Sequence, residues 1–121
     1  MNKGSYQLHI EISENIQIKI GSLGICNFEK GKYVYTGSAM SSLTKRVERH
    51  LKMNKKMHWH IDYLLTNRNV TITKIELFPS SIKQECQLNH DIINNHNGVP
   101  VVLGFGSSDC KNCPSHLLLV Q

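Results

Sequence analysis

Acidic residues are scarce in this chain. Nine Asp and Glu stand against fourteen Lys and Arg over 121 residues, leaving a formal charge of +5, with seven histidines able to add more below neutral pH. Such a balance favours polyanionic partners. Long apolar runs are also missing: none approaches the ~20 residues of a membrane span, so the reading includes no membrane-spanning helix. Met1 to Ser5 passes directly into an alternating strand pattern, with no signal-peptide signature, and the expectation is a cytoplasmic protein. Cysteine is sparse. Without a secretion signal, Cys26, Cys86, Cys110 and Cys113 argue against a disulfide framework, and Cys26 and Cys86 read as small apolar residues. Repeats, linkers and low-complexity segments are absent, and the length allows one domain with a modest core.

What is present alternates strongly. Tyr6, Leu8, Ile10 and Ile12 take turns with Gln7, His9 and Glu11, as in a half-buried strand. Ile16, Ile18 and Ile20 repeat the pattern after the turn signal Ser13-Glu14-Asn15, and the two runs are expected to pair as a hairpin. A short strand over 25–28 and an aromatic strand over 32–36 follow. Ser41-Ser42 offers an N-cap for a helix over about 43–53, and a second helix is expected over 60–66. A strand over 70–78, a third helix near 82–95 and two short terminal strands, 101–105 and 116–120, complete the reading. The fold class is α+β: a small, mainly antiparallel central sheet flanked by about three helices.

Several side chains exceed what packing asks for. On the first helix Leu43, Val47 and Leu51 form an apolar stripe; His50 falls within it and Arg46 at its edge, while Lys45 and Arg49 point away. Lys45, Arg49, Lys52, Lys55 and Lys56 crowd one short stretch with Glu48 as its only acid, either a solvated face or a nucleic-acid-binding surface. On the third helix Glu85 projects into the apolar arc of Ile82, Cys86, Ile92 and Ile93, either at a wet margin or as a metal ligand. His58, His60 and Asp62 form a second polar cluster. It is either helix-start polarity with a structural His–Asp bond, or a source of a general acid or base. Phosphodiester hydrolysis needs a positioned water, a proton acceptor, a divalent ion and a cation for developing charge. One carboxylate, one or two of Tyr6 and Tyr35, Arg46 and His50 could meet those needs. Cys110, Cys113 and His116 have zinc-ligand spacing but supply only three ligands, so a fourth would have to come from elsewhere, such as His58 or His96.

The motifs Gly4-Ser5-Tyr6, Tyr35-Thr36-Gly37 and Leu43-Thr44-Lys45-Arg46-Val47 resemble those of the GIY-YIG nuclease superfamily. Lys32-Tyr33-Val34-Tyr35-Thr36-Gly37-Ser38-Ala39, His58-Trp59-His60-Ile61-Asp62-Tyr63-Leu64-Leu65, Glu85-Cys86 and Phe105-Gly106-Ser107-Ser108-Asp109-Cys110 are similar to an uncharacterised branch of it, sometimes attached to endonuclease III. The resemblance implies DNA cleavage with one divalent metal, Mg²⁺ or Mn²⁺. Glu85 would hold the metal, Arg46 would stabilise the phosphate, and Tyr6 and Tyr35 would orient or deprotonate the attacking water, assisted by His50. Ser5 and Thr36 stand where the motif has isoleucines. An extra hairpin must fit between Tyr6 and Tyr35. DNA repair and an endonuclease III-like partner are further expectations. The alternatives are a nucleic-acid-binding module without catalysis and a zinc-stabilised interaction domain.

Overall fold

The computed structural model describes residues 1–107 and 112–121. β1 (Gly4–Ile12) lies at the heart of a five-stranded antiparallel sheet of order β5-β1-β4-β7-β6. Its neighbours are β4 (Gly31–Ala39) and β5 (Val70–Pro79), and β7 (Leu117–Leu119) and β6 (Val99–Pro100) extend the β4 side. β2 (Ile16–Ile20) and β3 (Gly24–Phe28) form a separate hairpin. A hairpin therefore does follow the first strand, but the expected pairing of β1 with β2 does not occur. Both edges of β1 are taken, by β4 and β5, so β2 turns to β3 instead.

Period-two alternation gives the sheet two different faces. Tyr6, Leu8, Ile10 and Ile12 point to the main core together with Tyr33 and Tyr35 of β4, against Ile20, Phe28, Leu43, Ile61 and Leu64. Side chains such as Leu8 and Ile12, fully buried, each contribute about 1.5–3 kcal/mol relative to exposure. The opposite face is more polar. Across β1 and β4, Gln7 Nε2 donates to Thr36 Oγ1 at 3.2 Å, and the Ser5 and Ser38 hydroxyls are 3.0 Å apart. A smaller apolar cluster of Val34, Ile92 and Leu118 packs there.

Three helices frame the sheet. α1 (Leu43–Leu51) starts where Ser42 Oγ accepts the Lys45 N–H, the expected cap. α2 is His60–Leu65, and α3 is Glu85–Asn95, packed on β4. α3 starts three residues later than the periodicity suggested. Ile82 lies outside it and 69% exposed, while Gln84 N–H donates to Ser5 Oγ and fixes the helix entry. The strand expected over 101–105 is absent: those residues bend and turn, with Gly104 and Gly106 at positive φ, and the pairing falls instead to Val99–Pro100. Among the described residues, no helix is long and apolar enough to cross a membrane.

Candidate functional site

At the end of the sheet where β1 begins and β4 ends, a cavity of about 190 Å³ is lined by Tyr6, Tyr35, Arg46, Glu85, Trp59 and His116, among others. Each side chain arrives for a traceable reason. Tyr6 and Tyr35 belong to the same sheet face, with ring centroids 6.5 Å apart. Tyr6 pairs in register with Gly37, and its phenol lies over that residue so closely that a Cβ on Gly37 would stand 2.6 Å from the hydroxyl. Glycine at 37 is what makes room for Tyr6. Gly106, at φ +67°, closes in on Tyr35 in the same way: a Cβ there would be 3.0 Å from the ring.

α1 lays His50 and Arg46 beside the tyrosines, one helical turn apart. His50 Nε2 is 2.7 Å from the Tyr6 hydroxyl, and both residues are buried. Arg46 donates through Nη1 to the Ser38 carbonyl at 2.9 Å, close enough to Tyr6 for its charge to favour the phenolate. Its guanidinium also stacks on Trp59, 4.3 Å from the ring centroid. The other ring nitrogen of His50, Nδ1, is buried without a hydrogen-bond partner.

The electrostatics follow from burial. Tyr6 is pushed up to about 12 by desolvation, against the lowering influence of Arg46. Tyr35, also desolvated, is held well above the usual phenol value. Burial, with Lys55 adding to it, lowers His50 to about 3, so its ring is neutral at physiological pH. Both phenols are therefore protonated in the resting protein. Making Tyr6 a base requires more positive charge than Arg46 alone supplies.

The basic stretch divides into two groups. Lys45, Lys52 and Lys56 are exposed. Arg49 does not point to solvent as expected. It donates to both Asp62 carboxylate oxygens, at 2.7 and 2.9 Å, and to the Lys56 carbonyl. Lys55 folds back beneath the end of α1, where its ammonium donates to the Arg49 and His50 carbonyls at 3.1 and 3.0 Å. Helix-end carbonyls have no helical partner, and Lys55 supplies one.

Asp62 is fully buried and also accepts the backbone N–H groups of His58 and Trp59. Burial alone would raise its carboxyl, but the Arg49 hydrogen bond and those two N–H groups outweigh it and hold the carboxyl below its ordinary value. Asp62 thus organises the α2 start and the Arg49–Trp59 stack rather than lining the cavity. The His58 side chain is exposed, edge-on to Trp59. His60 Nδ1 accepts the Gly106 N–H at 2.9 Å, so it anchors the loop that walls the cavity instead of entering it. Burial lowers its pKa.

Of the proposed zinc ligands, Cys110 lies outside the described residues, but Cys113 and His116 are buried and close to Cys86 of α3. The ligand atoms of Cys86, Cys113 and His116 lie within 4.8 Å of one another, a cluster that could hold a metal ion. Desolvation raises the Cys113 thiol, opposed by a hydrogen bond from Asn89. Reading Cys86 as a plain core residue missed this cluster. Trp59, the chain's only tryptophan, and Lys83 also went unassigned, although both line the cavity. A wider trough of about 530 Å³ between α3 and the β1–β5 strands is lined by His9, Lys74, Glu76, Asp91 and His96 beside Val34, Leu88, Ile92 and Val120, and none of the converging tyrosines reaches it.

A family model described as a domain of unknown function, DUF123, matches residues 5–121, nearly the whole chain. The chain belongs to the DUF123 family. No curated protein and no solved structure matches it. The matched span of this DUF123 chain contains Tyr6, Tyr35, Arg46, Glu85 and the Cys86–Cys113–His116 cluster alike.

Proposed function

We propose that this DUF123 chain is a divalent-metal-dependent DNA endonuclease of the GIY-YIG type, hydrolysing phosphodiester bonds, with a role in DNA repair. One observation carries the reading. Tyr6, Tyr35, Arg46 and Glu85, far apart in sequence, line a single cavity, and His50 is hydrogen-bonded to Tyr6. A carboxylate is the donor that Mg²⁺ or Mn²⁺ prefers, and Mg²⁺ commonly takes only one or two protein carboxylates and fills its shell with water and phosphate oxygens. Glu85, at the edge of a polar cavity, fits that role. The ion, when bound, would polarise the scissile phosphate and lower the pKa of an attacking water.

The protein groups divide the remaining work. Arg46, already fixed by Ser38 and Trp59, presents a cation to the phosphate, and Lys83 adds a second at the rim. Tyr6 orients the water as a hydrogen-bond partner. His50, through Nε2, holds the Tyr6 hydroxyl in place beside that water. Exposed Lys45, Lys52 and Lys56 hold the DNA backbone. Incubation with duplex, nicked and branched DNA in Mg²⁺ or Mn²⁺ tests this: cleavage that EDTA abolishes is expected. Tight, salt-sensitive binding with no cleavage under any of these conditions would favour a non-catalytic binding module instead.

A further inference from the structure

We infer that the loop leaving α1 is a DNA wedge: Leu51 and Met53 enter a base step while Lys52 and Lys56 hold the flanking phosphates. The inference rests on the DNA reading above and names its substrate class, DNA whose stacking is already interrupted by a nick, a mismatch or a branch.

Leu43, Val47 and Leu51 recur at four-residue spacing along one side of α1. The core takes Leu43, but Leu51 is left 54% exposed, and Met53, two residues on, 58%. Single exposed apolar side chains are ordinary on a surface. Here two stand together in a setting of one charge sign. No Asp or Glu occurs between Glu48 and Asp62, whereas Arg49, Lys52, Lys55 and Lys56 all do. Apolar tips among cations match a polyanion that also offers apolar faces, which stacked bases do.

Two of these four cations turn inward and fix the loop. Arg49 donates to buried Asp62 and to the Lys56 carbonyl, the latter at 2.9 Å. The Lys55 ammonium donates to the carbonyls of Arg49 and His50, at the end of α1. Asp62 in turn accepts the His58 N–H, where the loop ends. Both ends are thus tied to one ion pair, so little ordering remains to be lost when the tip docks. Lys52 and Lys56 stay exposed, one before Met53 and one after it.

The position joins this loop to the cavity. The chain leaves α1, which carries Arg46 and His50, and returns at Trp59, which lines the cavity with Arg46. Leucine and methionine are among the side chains that bending proteins insert between base pairs. Separating stacked bases costs free energy, and costs least where a base is mismatched or the strand is already open. A wedge beside the cavity therefore selects interrupted DNA and brings its phosphate to Arg46. A second copy of the chain does not suit the loop, because a two-fold contact sets its lysines against their own counterparts.

Full-length protein is bound to intact, nicked and branched duplexes of equal length, with EDTA present so that nothing is cut. Each DNA carries 2-aminopurine, which brightens when unstacked, beside the nick, the branch or the matching intact step. Tighter binding of nicked and branched DNA is expected, with brightening at the interruption. Leu51→Ala combined with Met53→Ala should abolish the brightening and weaken binding to interrupted DNA about tenfold, the scale of leaving one such side chain in water. Its affinity for intact duplex should stay within about twofold, and its melting temperature should hold, because both side chains are exposed. Ile25→Ala, equally exposed but in β3, should change nothing. Wild-type protein that binds DNA without brightening, or a double variant that brightens it equally, would overturn the wedge and leave the DNA reading standing. Wild-type protein that binds none of the three duplexes would overturn both. Binding to phosphatidylserine vesicles that the double variant loses, with DNA binding unchanged, would assign the loop to a membrane surface and also overturn the wedge.

Discussion

The Tyr6 hydroxyl lies 2.7 Å from His50 Nε2, and both side chains are almost completely buried. This pair couples the first strand to the first helix and places a neutral imidazole beside the phenol assigned to the water. Its burial has a consequence that can be measured without any substrate.

His50 titrates near 6.5 when unfolded and at about 3 when folded. Between those values the unfolded chain binds a proton that the folded chain does not, so stability falls as pH drops from about 6.5 toward 3 and is unaffected by this group above that range. One such proton gives a slope of about 1.4 kcal/mol per pH unit. His60 and His116, also lowered by burial, add slopes of the same sign. Urea unfolding at pH 7.5, 6 and 5 should show the decline, and His50→Gln should flatten it by roughly one proton. A slope unchanged in the variant would show that His50 is not protected in this way.

Gly37→Ala tests the approach of Tyr6. The new methyl would stand 2.6 Å from the phenolic oxygen, too close for either to stay in place. A loss of about 1–3 kcal/mol is expected from overpacking, with Tyr6 displaced and cleavage lost. Chemical denaturation and a cleavage assay on the same sample give both readouts.

Arg49 and Lys55 should behave as parts of the fold. Asp62→Asn removes a fully buried carboxylate from Arg49 and two backbone N–H groups, and should cost about 3 kcal/mol; the partial exposure of Arg49 keeps the loss at the low end for a broken buried pair. Lys55→Ala removes the ammonium from two helix-end carbonyls, leaving that of Arg49 with only the Lys52 N–H, and should lower the melting temperature, whereas Lys45→Ala should not.

Lys45, Lys52 and Lys56 should instead affect DNA. Replacing all three by alanine should leave stability within about 0.5 kcal/mol. If each contacts one phosphate, the slope of log K against log salt should become shallower by about 2.7. Fluorescence anisotropy across a salt series measures it, and an unchanged slope would put the DNA on another face.

Local pattern made much of this legible. The alternation in β1, the Ser42 cap, and the placement of His50 in an apolar stripe with Arg46 at its edge follow from periods of 2 and 3.6. Pairing did not follow. Nothing local says that β4 and β5, rather than β2, flank β1, because both partners are distant in sequence. The direction of Arg49 was misjudged for a related reason. A cation on the polar side of a helix looks solvated until Asp62, thirteen residues on, packs against it. Cys86 gained its metal-site reading only when the segment carrying Cys113 and His116 folded onto α3.

Cleavage of DNA by the wild-type chain and by Glu85→Gln and Arg46→Ala, each shown to be folded and still able to bind DNA, tests the central claim most directly. The account predicts cutting that requires Mg²⁺ or Mn²⁺ in the wild type, and at least a hundredfold loss in each variant, the scale of removing one transition-state contact (about 2.7 kcal/mol or more). A Glu85→Gln protein that cuts at the wild-type rate, or a wild type inert with both metals on every DNA structure, would contradict it.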